Sequence, residues 1–104
     1  MIRHCVLVRP SATAPAAVAD LPQVFAAQAR LGERLPGMLA FAGGPDVSPE
    51  GLQRGYAHAF TIDFADAAAR DAYLVDPEHK ALGARLVAAA EGGRDGILVI
   101  DFEA

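Results

Sequence analysis

One alternation limits what this chain can fold into. In "YAHAFTIDF", residues 56–64, Tyr56, His58, Phe60, Ile62 and Phe64 fall on one side of an extended chain. Ala57, Ala59, Thr61 and Asp63 fall on the other. The first side is too large and apolar to face water, so a packed layer must cover it. The second is small and only weakly polar, which is unusual for a solvated sheet face.

Three more segments read as strands. In "IRHCVLVR", residues 2–9, Ile2, His4, Val6 and Val8 share one face, and Arg3, Cys5, Leu7 and Arg9 the other. "MLAFAG" (38–43) and "GILVIDF" (96–102) complete the set. Helical periods fill the gaps. From Ala16 to Leu35 the residues Val18, Leu21, Val24, Phe25, Gln28 and Leu31 lie near one stripe. Pro22 interrupts this run early, so the regular helix is expected after Asp20, with Asp20 as its cap. "PG" at 36 and 37 ends it. A second helix starts at a capping Asp66 and runs to Val75. It restarts at Asp76 and Pro77 and continues through Leu82, Leu86 and Val87 to the glycine pair at 92 and 93.

The order βαββαβ predicts an α+β, ferredoxin-like sandwich of one domain over residues 1–104. Two right-handed crossovers give an antiparallel sheet of order 4-1-3-2 with both helices on one face. The bare face then carries Cys5, Leu7, Ala57 and Ala59, with either Leu98 and Ile100 or Ile97 and Val99 from the last strand. A second copy is expected to cover it, giving a homodimer through the sheet faces.

Net charge is −4 and the nine basic residues are scattered, so neither nucleic acid nor an anionic membrane surface is indicated. No apolar run approaches the ~20 residues that span a bilayer, and the N-terminus enters a strand pattern rather than a signal peptide. The single cysteine, Cys5, forbids an internal disulfide and fits the reducing cytoplasm. No cofactor motif is present. "GGPDVSPEG" lacks the lysine and the strand-to-helix setting of a phosphate loop. The three histidines lack a metal-ligand spacing.

"IRHCVLVR", "GPDVSPEG", "GYAHAFTIDF", "YLVDPEHKAL" and the closing "ILVIDF" together resemble the stress-responsive A/B-barrel (Dabb) family over nearly the whole chain. The resemblance implies a dimeric α/β barrel of two ferredoxin-like sheets. It implies less about activity, although one plant member is a polyketide cyclase that closes a poly-β-keto chain by aldol condensation without metal or cofactor. The acid/base tyrosine and histidine of that cyclase match Tyr73 and His79. Its cavity-lining histidines match His4 and His58. Where its first helix places a tyrosine in the pocket, this chain has Gln28. Phe60, on the same covered face, is taken as a further substrate contact.

Elementary chemistry supports interest in His79. Asp76 is a good N-cap and Pro77 a good first helical residue, so His79 falls in a first helical turn. The partial positive charge there disfavours an imidazolium, leaving a neutral ring able to accept a proton. Tyr73 can donate to a developing enolate oxygen. Taking the second helix as continuous, Asp66 to His79 spans ~20 Å, which sets His79 over His58. His4 pairs nearer Ile62, ~13 Å from His58, which leaves it outside that group.

Against this stand plainer roles: His79 as helix-start chemistry, Tyr73 as a core aromatic, His4 and His58 as hydrogen-bonded core histidines, Cys5 as a small buried hydrophobe, Asp63 as a solvated rim residue. Three functions remain open. They are a cofactor-free enzyme on a small carbonyl or aromatic substrate using His79 and Tyr73, a small-molecule-binding module, and a stress-related structural dimer.

Overall fold

The computed structural model describes all 104 residues. The strands are β1 (Ile2–Val8), β2 (Met38–Pro45), β3 (His58–Phe64) and β4 (Ile97–Glu103). The helices are α1 (Pro15–Ala19), α2 (Leu21–Arg30), α3 (Ala67–Val75) and α4 (Pro77–Ala89). The sheet order is β2-β3-β1-β4, with every neighbouring pair antiparallel. This is the expected order read from the opposite edge.

Alternation sorts the two faces. His4, Val6 and Val8 of β1 lie beneath the helices beside Phe60, Ile62 and Phe64 of β3, and all six are buried. Leu21, Val24, Phe25, Tyr73, Leu82 and Leu86 descend on them from the helices. Burying each such side chain contributes roughly 1.5–3 kcal/mol, which is what holds helices to sheet. Gly43 lets β2 close on β3: a β-carbon there would stand 2.6 Å from that of Phe60. Phe41 and Phe60 stack with ring centroids 5.3 Å apart.

Local details depart from expectation where long-range contacts intervene. The first helix is two, and Asp20 between them makes no side-chain cap. Its carboxylate accepts instead from Arg85 of α4, at 2.6 and 2.8 Å. β2 runs on to Pro45 and bulges at Leu39. Tyr56 precedes β3 and leaves the buried row, its ring lying 4.9 Å from the Arg9 guanidinium. Asp63 is not a solvated rim group: Arg3 donates to both its oxygens, at 2.8 and 3.2 Å.

The register settles which β4 residues lie on the bare face. Leu98 pairs with Leu7, Ile100 with Cys5 and Phe102 with Arg3. Leu98, Ile100 and Phe102 are 38%, 56% and 47% exposed, an apolar band with nothing over it. Cys5, expected buried, is half-buried on this face. No helix is long and apolar enough to cross a membrane.

Candidate active site

The helices do not reach fully across to β4. Between α4 and the β1–β4 side of the sheet they leave a cleft of about 630 Å³, within the size range of small-molecule sites. His4, Gln28, Phe60, Tyr73 and His79 all line it. Each arrives by a different route. Alternation turns His4 and Phe60 inward, and the apolar stripe of α2 carries Gln28 inward too, leaving it 1% exposed. Tyr73 is the buried residue of α3.

His79 depends on a break in the chain. Asp76 adopts an extended conformation (φ −64°, ψ 129°), which stops α3 and lets Pro77 open α4. The Asp76 carboxylate accepts from the His79 backbone N–H at 3.0 Å, as the cap pattern predicts. Arg34 donates to both Asp76 oxygens at 2.8 Å. These hydrogen bonds, Arg34 first and the His79 amide second, hold the Asp76 carboxyl down at about 2. The first turn of α4, and with it His79, is thereby anchored by an ionised cap.

The Tyr73 ring lies between two imidazoles, its centroid 3.9 Å from that of His79 and 5.8 Å from that of His4. Its hydroxyl donates to Gln28 Oε1 at 3.0 Å. His79 Nδ1 stands 3.5 Å from the same oxygen, the outer limit of a hydrogen bond. Burial pushes the Tyr73 phenol well above its ordinary range, outweighing the opposing effect of Gln28. The hydroxyl therefore stays protonated and is a donor. His79 is pushed down to about 4, mainly by burial and next by the neighbouring His4. The neutral ring expected from the helix end is found, but removal from water is its chief cause.

Two placements reverse the expected grouping. His4, which register arithmetic set apart, belongs with His79 and Tyr73. His58 does not. Its register partner is Val8, four residues along β1 from His4, and its ring stands edge-on to Phe25 at 6.5 Å. The arithmetic failed because it treated Asp66 to His79 as one helix. The extended Asp76 breaks the helix, so His79 sits against Tyr73, near His4, and not over His58.

Residues 2–104 match the family described as Stress responsive A/B Barrel Domain. The chain belongs to this family. A curated A/B-barrel relative, the stress-response A/B barrel domain-containing protein HS1 of Arabidopsis thaliana, is 36% identical over 66 residues, 64% of this chain. That match spans 57% of the relative's length. A dimeric ferredoxin-like protein of unknown function from Jannaschia sp. CCS1 is 36% identical over 99% of this chain and 98% of its own, with a TM-score of 0.91. A hydroxynitrile lyase from Passiflora edulis shares the fold at 22% identity, over 97% of this chain and 90% of its own, with a TM-score of 0.79.

One residue of this A/B-barrel site escaped the sequence reading. Asp101 lies opposite His4 in the β1–β4 register, and its Oδ1 is 2.7 Å from His4 Nδ1. A carboxylate only accepts, so the facing nitrogen carries the hydrogen and Nε2 is left as an acceptor. Arg70 holds the other Asp101 oxygen at 3.1 Å. The signal was available: the third residue of β1, on the covered face, is a histidine, and the antiparallel partner strand brings an aspartate to the same level.

Proposed function

We propose that this protein is a homodimeric, cofactor-free acid/base catalyst acting on a small carbonyl substrate, aliphatic or aryl, held in the cleft. The observation that carries this reading is the Tyr73–His79 pair. A tyrosine that keeps its proton lies tilted against an imidazole that is neutral at pH 7, ring centroids 3.9 Å apart, and both line one cleft. His79 takes a proton from the carbon beside the carbonyl. The electron pair moves onto the carbonyl oxygen, where the Tyr73 hydroxyl donates to the developing enolate. The substrate oxygen takes the acceptor position that Gln28 Oε1 occupies. His4, oriented by Asp101, is the second proton-accepting group and serves to position the substrate.

The dimer is supported by the exposed Leu98, Ile100 and Phe102 band and by the dimeric Jannaschia relative. An unpaired Cys5 fits a cytoplasmic setting.

The test is enolisation itself. The protein is incubated in D₂O with a panel of aryl ketones and 1,3-dicarbonyls, and loss of the α-proton signal is followed by NMR. Wash-out above the buffer rate is expected, with His79→Gln slower by about 10²–10⁴. Tyr73→Phe keeps the ring and loses one donor, so it is expected to cost less. If wild-type protein never exceeds buffer, the catalytic reading fails and a binding module remains.

A further inference from the structure

The cleft has a charge that the protein as a whole does not. The chain carries a net −4, yet none of the side chains lining the cleft is acidic, and two, Lys80 and Arg94, are basic. Elsewhere four arginines are matched, Arg3 with Asp63, Arg34 with Asp76, Arg70 with Asp101 and Arg85 with Asp20, while the unpaired Arg9, Arg30 and Arg54 lie away from the cleft. Lys80 and Arg94 enter no ion pair and no side-chain hydrogen bond. Both are exposed, so their charges stand in water at the opening.

Their places along the cleft define a shape. Lys80 follows His79 in the first turn of α4. Arg94 lies in the turn Gly93–Gly96 beyond that helix's other end. The nine residues from Lys80 to Ala89 alone rise ~14 Å. Between the two cations the wall is apolar, made by Leu86, Val87, Ile97 and Val99, with Gly83 leaving it open. The sequence thus presents a reacting group at one end, an apolar trough, and unpartnered positive charge at both ends.

We propose that the cleft selects an anionic carbonyl compound, a keto acid with an apolar body, and that Lys80 and Arg94 are its specificity-determining residues. This rests on the reading of the cleft as a carbonyl-binding site. Field lines from two like charges over low-dielectric walls concentrate at the opening, which raises the local concentration of anions and repels cations. A carboxylate reaching either residue forms a charge-assisted hydrogen bond that a neutral isostere does not. Neither Lys80 nor Arg94 touches the reacting atoms, so both act on binding and not on the proton transfer.

The experiment uses a matched pair of ligands, 4-oxo-4-phenylbutanoate and its carboxamide, titrated into the intact protein at low salt while the Gly83 amide is followed by NMR. The carboxylate is expected to bind about tenfold more tightly, and the preference to shrink as ionic strength rises to ~0.3 M. In the Lys80→Gln/Arg94→Gln double variant the ratio should fall to about one while the carboxamide binds as before. Equal affinity of the two ligands for wild-type protein, both moving the Gly83 amide, would overturn the charge proposal and leave the carbonyl site standing. An undiminished carboxylate preference in the double variant would overturn it too. If neither ligand perturbs Gly83, the carbonyl site itself fails and this inference with it.

Discussion

Gly83 offers the sharpest separation of stability from function. It lies mid-helix in α4 and lines the cleft. Its φ is not among the left-handed ones, and a β-carbon built on it meets nothing within 4 Å. A helix-interior glycine is ~0.8–1.0 kcal/mol less favourable than alanine. With no steric cost to subtract, Gly83→Ala should stabilise the fold by nearly that amount. For a domain of this size about 1 kcal/mol corresponds to roughly 4–8 °C, so a thermal melt by circular dichroism at fixed protein concentration reads it easily. Gly83→Leu keeps most of the helical gain and pushes three more carbons into the cleft. Displacing that side chain on ligand entry should cost ~1–3 kcal/mol, about five- to 150-fold in affinity. The expected pair of results is a protein at least as stable as wild type that binds and enolises ketones poorly. A lower melting temperature for Gly83→Ala would refute the open-wall reading. A well-folded Gly83→Leu with unchanged binding would refute the cleft as the site.

Other consequences are as direct. The imidazole of His79 should titrate near 4 by NMR, against 6.5 for a free histidine; a value above 7 would contradict its burial. The unfolded chain takes up that proton where the folded one does not. His79 therefore lowers stability progressively as pH falls from about 6.5 toward 4, and loss of the ionised Asp76 cap adds to this between about 4 and 2. Denaturant midpoints across that range check the sign. Ala59 lies on the bare sheet face and is exposed in the single chain. Sedimentation of wild type should show a dimer and Ala59→Glu a folded monomer, since an unpaired charge buried at an interface is strongly unfavourable. Asp101→Asn should abolish the fixed Nδ1–H tautomer of His4, visible in its ¹⁵N shifts, and slow ketone wash-out without unfolding the protein.

Much of the fold was legible because it rests on local rules. Period-2 alternation located β1 and β3 and put Val6, Phe60 and Ile62 on the covered side. Asp66 and Asp76 announced two helix starts, whereas α4 ends at Ala89 with an extended Ala90, short of the glycine pair expected to close it; the left-handed Gly92 opens the next turn instead. The site was only half legible. Tyr73, His79 and Gln28 are brought together by the cap and the helical stripe, both readable. The choice between His4 and His58 hung on the geometry of the break at Asp76. That geometry is held by Arg34, 42 residues away, which no local pattern reveals. Asp20 shows the same limit: its local setting suggests a cap, and the distant Arg85 takes it instead. Asp101 could have been found from register alone, once β1 and β4 were paired and their covered faces aligned.

The most direct test of the central claim is the crystal structure of the protein with 4-oxo-4-phenylbutanoate. The account predicts the ligand in the cleft, its carbonyl oxygen at hydrogen-bond distance (~2.7–3.0 Å) from the Tyr73 hydroxyl, with Gln28 Oε1 displaced as acceptor and the His79 ring facing the α-carbon. A ligand on the sheet face, or a cleft filled by its own side chains with Tyr73 still bound to Gln28, would contradict it.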